Sequence, residues 1–83
     1  MERKVLKIEI VKKSVLQATA SVDHGNGLIT HFWKVLLKDG KLLVIPPQLR
    51  IGPNYHDILE FKEQKEIQEI EALVLKVFHE ATP

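Results

Sequence analysis

Leu16-Gln17-Ala18-Thr19-Ala20-Ser21-Val22, running straight into Asp23-His24-Gly25-Asn26-Gly27 (residues 16–27), decides the fold class. Leu16, Ala18, Ala20 and Val22 alternate with Gln17, Thr19 and Ser21. A period of two with one apolar face marks a half-buried strand. The β-branched residues favour strand over helix. Residues 23–27 are the strongest turn signal in the chain, because Gly and Asn tolerate positive φ. The Gly-Asn-Gly within them is too short and isolated to be a phosphate loop.

Working outward, residues 4–11 alternate in the same way. Val5, Lys7, Glu9 and Val11 take one side; Leu6, Ile8 and Ile10 take the other and form the predicted apolar face. Lys12-Lys13-Ser14 is a polar break. Downstream, residues 28–37 predict a third strand with Ile29, His31, Trp33, Val35 and Leu37 on one face and Leu28, Thr30, Phe32, Lys34 and Leu36 on the other. Both faces carry bulk, which predicts a central strand or one with a face in an interface. Lys38-Asp39-Gly40-Lys41 reads as a tight hairpin turn. Residues 42–45 form a short fourth strand, ended by Pro46-Pro47, which cannot donate to a ladder. Residues 48–54 read as a loop containing Gly52-Pro53, and residues 55–61 as a fifth short strand.

Residues 63–81 carry the one helical pattern. Ile67, Ile70, Val74, Val77 and Ala81 recur every three or four positions, with Leu73 and Phe78 beside them. Glu60, Glu63 and Glu66 suit the positive end of the helix dipole. From Ala72 to Phe78 the helix is apolar around more than half its circumference, which predicts a second contact surface there. The expected architecture is one α+β domain over residues 1–83: an antiparallel β-meander of four to five strands followed by one C-terminal α-helix.

An 83-residue domain buries only about 60–65% of its unfolded surface. Without cysteine there is no disulfide and no thiolate zinc site. Forty-five per cent hydrophobic residues therefore predict stabilisation by self-association. Met1-Glu2-Arg3-Lys4 is charged, and Lys7, Glu9, Lys12 and Lys13 interrupt the apolar run behind it. No stretch nears the ~20 apolar residues of a membrane span. The expectation is a cytoplasmic protein with no membrane partner.

Net charge is only +1, but it is divided. Residues 1–50 hold nine Lys/Arg against four acids, a net of +5; residues 51–83 hold three Lys against seven acids, a net of −4. A basic sheet half attracts phosphate. Lysines on strand faces and edges equally serve solubility.

Catalytic chemistry finds little support. His24, His31, His56 and His79 form no HxxxH or HxH pair, so no metal site is expected. His31 reads as structural because it shares a predicted face with Trp33; His24 and His79 read as exposed. There is no GxSxG elbow. His56 and Asp57, adjacent on a strand, point to opposite faces. Glu63, Glu66 and Glu69 read as a solvated helix face. The chain is expected to be no enzyme, with no catalytic residues, cofactor or small-molecule substrate. For nucleic-acid binding, which needs cations and often aromatics, the candidates are Lys34, Lys38, Lys41 and Arg50. Arg50 stands out because Pro and Gly restrain its loop and its planar fork suits phosphate.

The serial order of signals resembles the SpoVG family, named for a stage V sporulation protein. Ala20-Ser21-Val22 leads through a polar turn to Leu28-Ile29-Thr30-His31, then Lys34-Val35 and a Gly turn. Ile45-Pro46 precedes a polar loop into Tyr55-His56-Asp57-Ile58, and Val74-Leu75 with Phe78-His79 close the chain in a helix. The resemblance implies a sheet with a C-terminal helix that dimerises, and a cytoplasmic DNA- and RNA-binding regulator linked to sporulation, septation and cell division. Lys34 matches a basic family position. The family's Ser-Lys-Arg after the fourth strand is here Pro47, Gln48 and Leu49, with Arg50 one step later. Basic positions near the family's helix start are here Ile67 and Glu69. A protein-interaction module that keeps the fold without binding nucleic acid is the alternative.

Overall fold

The polar breaks and Gly turns divide the chain into six strands and a helix: β1 (Lys4–Lys13), β2 (Leu16–Asp23), β3 (Ile29–Lys38), β4 (Lys41–Ile45), β5 (Gln48–Ile51), β6 (Asn54–Asp57) and α1 (Gln64–Ala81). The computed structural model describes residues 2–82. In it, β1 to β4 form one antiparallel sheet in chain order, and β5 and β6 form a separate two-stranded hairpin. This is the α+β meander-then-helix arrangement that the sequence predicts. No described helix is long and apolar enough to cross a membrane.

Two turns owe their shape to side-chain chemistry. Asp39 and Gly40 both have positive φ (53° and 77°) between the paired Lys38 and Lys41. That is the two-residue turn whose twist matches a β-hairpin, and Asp-Gly is among its preferred sequences. In residues 23–28, the Asp23 carboxylate accepts from the Gly25 N–H at 2.8 Å, and the Asn26 side chain accepts from Leu28 N–H at 3.1 Å.

The segment read as a loop is the main departure in topology. Residues 48–51 are strand β5, and Ile51 pairs with Asn54 across Gly52-Pro53. Gly52 has φ 61°. Glycine at the first central position, with proline's fixed negative φ next, makes a hairpin turn rather than an open loop. The fifth strand predicted over residues 55–61 stops at Asp57 and pairs with β5, not with the main sheet. Pro46-Pro47 uncouples the two sheets.

One face of the main sheet carries α1. Ala18, Ala20 and Val22 of β2, Trp33 and Val35 of β3, Val44 of β4, and Ile70, Val74 and Phe78 of α1 form the core. Ala20 pairs with Trp33, so a small residue stands beside the largest one and the helix can lie close. Ile70, Val74 and Phe78 fall at four-residue spacing on one stripe; burial of each contributes about 1.5–3 kcal/mol.

Bulges re-aim the edges of this core. In β1, Val5 pairs with Val22 but Lys7 pairs with Ser21, so Leu6 is an extra residue. Val5 therefore joins Ile8 and Ile10 against the core, while Leu6 is 47% exposed. The simple alternation, which put Leu6 inside and Val5 outside, fails at these two residues. In β3, Val22 pairs with Thr30 and Ala20 with Trp33. His31 and Phe32 together stand opposite Ser21, and Phe32 has φ 67°. Thr30 thereby shares the helix side with Trp33, and His31 does not. His31 is exposed, which corrects its expected structural role beside Trp33.

Nor is His24 exposed as expected: it is buried, 5% accessible. Its ring lies 5.9 Å from that of Phe61. Nδ1 accepts from Arg3 Nε at 3.1 Å, and Nε2 bonds Thr30 Oγ1 at 2.8 Å. Arg3 continues to Glu66 at 3.1 Å and Glu69 at 3.4 Å. The helix acids Glu66 and Glu69 are thus partners of the first strand's approach, not simply a solvated face. The predicted surplus apolar surface of the helix is also reduced. Val74 and Phe78 are buried, Leu73, Leu75 and Val77 are half-buried, and only Ala72 of that run is both apolar and exposed.

Candidate nucleic-acid interface

The sheet face opposite α1 has no helix over it, and it carries the site. Period two sends Lys7 and Glu9 of β1, Thr19 and Ser21 of β2, and Lys34 of β3 to this side, away from the core residues that alternate with them. At the β3 bulge, Phe32 is turned outward and is 72% exposed. Its ring meets His31 edge-on at 6.4 Å. Ser21 Oγ lies 2.8 Å from His31 Nδ1. A shallow hollow of about 350 Å³ opens between Lys7, Glu9, Thr19, Ser21, His31 and Phe32.

The β5–β6 hairpin completes the arrangement. Arg50 pairs directly with Tyr55, so both side chains leave the same face of the hairpin. Lys34 Nζ and Arg50 Cζ each lie 5.8 Å from the centroid of the Tyr55 ring. One aromatic ring from β6 therefore gathers a cation from the main sheet and a cation from β5. Each such contact contributes about 0.5–1 kcal/mol at an exposed site. Arg50 Nε donates to the Gly52 carbonyl at 3.1 Å, which fixes the plane of the guanidinium from the turn that its own strand makes.

Of the four candidates, the fold brings Lys34 and Arg50 together. Lys38 and Lys41 form a second pair, directly opposite each other beside the Asp39-Gly40 turn. Lys38 lies four residues along β3 from Lys34, about 13 Å at strand rise. Like charges facing each other across a hairpin are destabilising. Among the described residues, no salt bridge engages Lys34, Lys38, Lys41 or Arg50; the salt bridges involve Arg3 and Lys65. Four cations are thus left to solvent or a ligand.

Sequence reasoning missed Tyr55 and the Ser21–His31 pair. Tyr55 is 57% exposed, and its alternation in a short strand was legible. That it would face Lys34 depends on where the hairpin folds back. The Ser21–His31 contact depends on the bulge, which no local signal announces. Among the described residues, no group of three or more His, Cys, Asp or Glu is placed to hold a metal ion.

No family model matches the chain. A search of curated proteins finds no match. The site is therefore read from its own chemistry. Planar aromatics set among unpaired cations on an open sheet offer π-faces and charge together, the combination that holds nucleic-acid backbones and bases. Glu9 is the one acid in the hollow, set beside Lys7.

Proposed function

We propose that the protein is a nucleic-acid-binding regulator of the SpoVG type, cytoplasmic and non-enzymatic, which acts as a homodimer. The observation that carries this is the Tyr55 ring with Lys34 and Arg50 both at 5.8 Å. Two cations held on one exposed ring, with no carboxylate paired to either among the described residues, suit a phosphate backbone. Lys38 and Lys41, on the β3–β4 hairpin with Lys34, extend the positive track.

The two faces of the β5–β6 hairpin divide the work. Arg50 and Tyr55 leave one face; Leu49 and Ile51 alternate to the other and are more than half exposed. That apolar face supports self-association without covering the cations. A dimer places two tracks on one particle, which raises affinity by avidity.

The test is a titration of labelled DNA and RNA oligonucleotides at two salt concentrations, with sedimentation for mass. Binding that falls steeply with salt, and that is lost in Lys34→Glu/Arg50→Glu, is the expected result. If that double variant binds as the parent does, the site is elsewhere. If no oligonucleotide binds at low salt, the protein is an interaction module instead.

A further inference from the structure

Phe32 is unexplained by the fold. A bulge of the G1 type places one residue at positive φ, where Gly or Asn sits with little strain. Here the position holds a phenylalanine at φ 67°. For a bulky side chain this region is a genuine outlier, with a cost on the order of other strained backbone states found at binding sites. Burial gives nothing back, since the ring is 72% exposed. An exposed aromatic held in strained backbone above a hollow is a site feature rather than a core feature.

Around it stand groups suited to a planar heterocycle. Ser21 Oγ and His31, 2.8 Å apart, Thr19 and Lys7 offer donors and acceptors at the rim. The hollow, about 350 Å³, falls within the range of small-ligand sites. Lys34 lies two residues along β3 from Phe32, about 7 Å at strand rise. A chain whose phosphates lie on Lys34 and Arg50 therefore carries its bases past this ring.

Resting on the nucleic-acid reading above, we infer that the ligand is a single strand and that one unpaired base stacks on Phe32, its edge toward Ser21 and His31. A duplex keeps its base faces stacked inside and has none to offer. The bulge thus makes the open face selective for unpaired nucleic acid.

The experiment is fluorescence anisotropy with one labelled 12-nucleotide sequence, as a single strand and annealed to its complement, at low salt. The parent protein should bind the single strand more tightly. Phe32→Ala should weaken single-strand binding about tenfold or more, leave duplex binding unchanged and keep the salt slope. Phe32→Tyr should bind like the parent; Phe32→Leu, apolar but not planar, should not. Thermal melting checks that each variant is folded. Equal binding of both forms by the parent, or single-strand binding untouched by Phe32→Ala, overturns the stacking inference. In that case a loss in Lys34→Glu/Arg50→Glu still upholds the phosphate reading. No binding of either form by the parent overturns both.

Discussion

Trp33 donates from Nε1 to Thr30 Oγ1 at 2.7 Å. In a regular strand, residues three apart leave opposite faces. These two meet because the β3 bulge inserts a residue between them. The same hydroxyl bonds His24 Nε2 at 2.8 Å, and His24 leads through Arg3 to Glu66. A polar chain therefore crosses from β3 through the β2–β3 turn to the first turn of α1.

Thr30→Val should destabilise the protein by about 2 kcal/mol. The substitution keeps the shape but leaves the Trp33 N–H and the His24 ring without their partner, and an unsatisfied buried group costs about 1–3 kcal/mol. Trp33, the single tryptophan, reports urea unfolding by fluorescence. Thr30→Ser, which keeps the oxygen, should stay within about 0.5 kcal/mol of the parent. Equal midpoints for Thr30→Val and the parent would show that the hydroxyl is dispensable.

Stability should fall with acid through His24. Burial first, and then the Arg3 cation, lowers its pKa below 6.5; Asp23 and Glu66 oppose this. Above pH 6.5 the ring is neutral folded or unfolded, and the native contacts are intact. As pH drops below that value the unfolded chain takes up the proton first, so stability declines until the folded pKa is passed. Protonation also removes the Nδ1 lone pair that accepts from Arg3. The urea midpoint should be lower at pH 5.5 than at pH 7.5, and His24→Gln should flatten that difference. An unchanged slope in the variant would assign the pH dependence to other groups.

Phe32→Gly should raise stability by about 1 kcal/mol, because glycine takes the same φ without a Cβ clash. For a domain of this size that is a rise in melting temperature of about 4–8 °C. A lower melting temperature would show that the phenyl ring holds the sheet together.

Arg3→Ala should cost about 1 kcal/mol. The Arg3 side chain is 14% exposed, but Glu66 and Glu69 are at the surface, so solvent screens the pairs. The deficit against the parent should shrink in 1 M NaCl, where the Debye length is about 3 Å. A deficit that salt does not change would make the loss one of packing on Phe61, whose ring lies 5.7 Å from the guanidinium.

Without its fold, the chain already specifies a four-strand meander and a terminal helix. Alternation around Ala18-Ala20-Val22, the Asp39-Gly40 turn and the Ile70-Val74-Phe78 spacing are local signals, set by side-chain direction and by which residues accept positive φ. Lys34 and Arg50 were legible as cations in the basic half. The points where pairing skips a residue emerge only in the assembled sheet; among them are Leu6, whose bulge moves Val5 into the core, and Phe32, whose bulge turns Thr30 inward and His31 outward. The burial of His24 beside Phe61 and the meeting of Lys34 and Arg50 on Tyr55 depend instead on where separate elements fold back on one another. Register depends on the partner strand and on what the helix must cover, and neither is encoded within reach of the residue that moves.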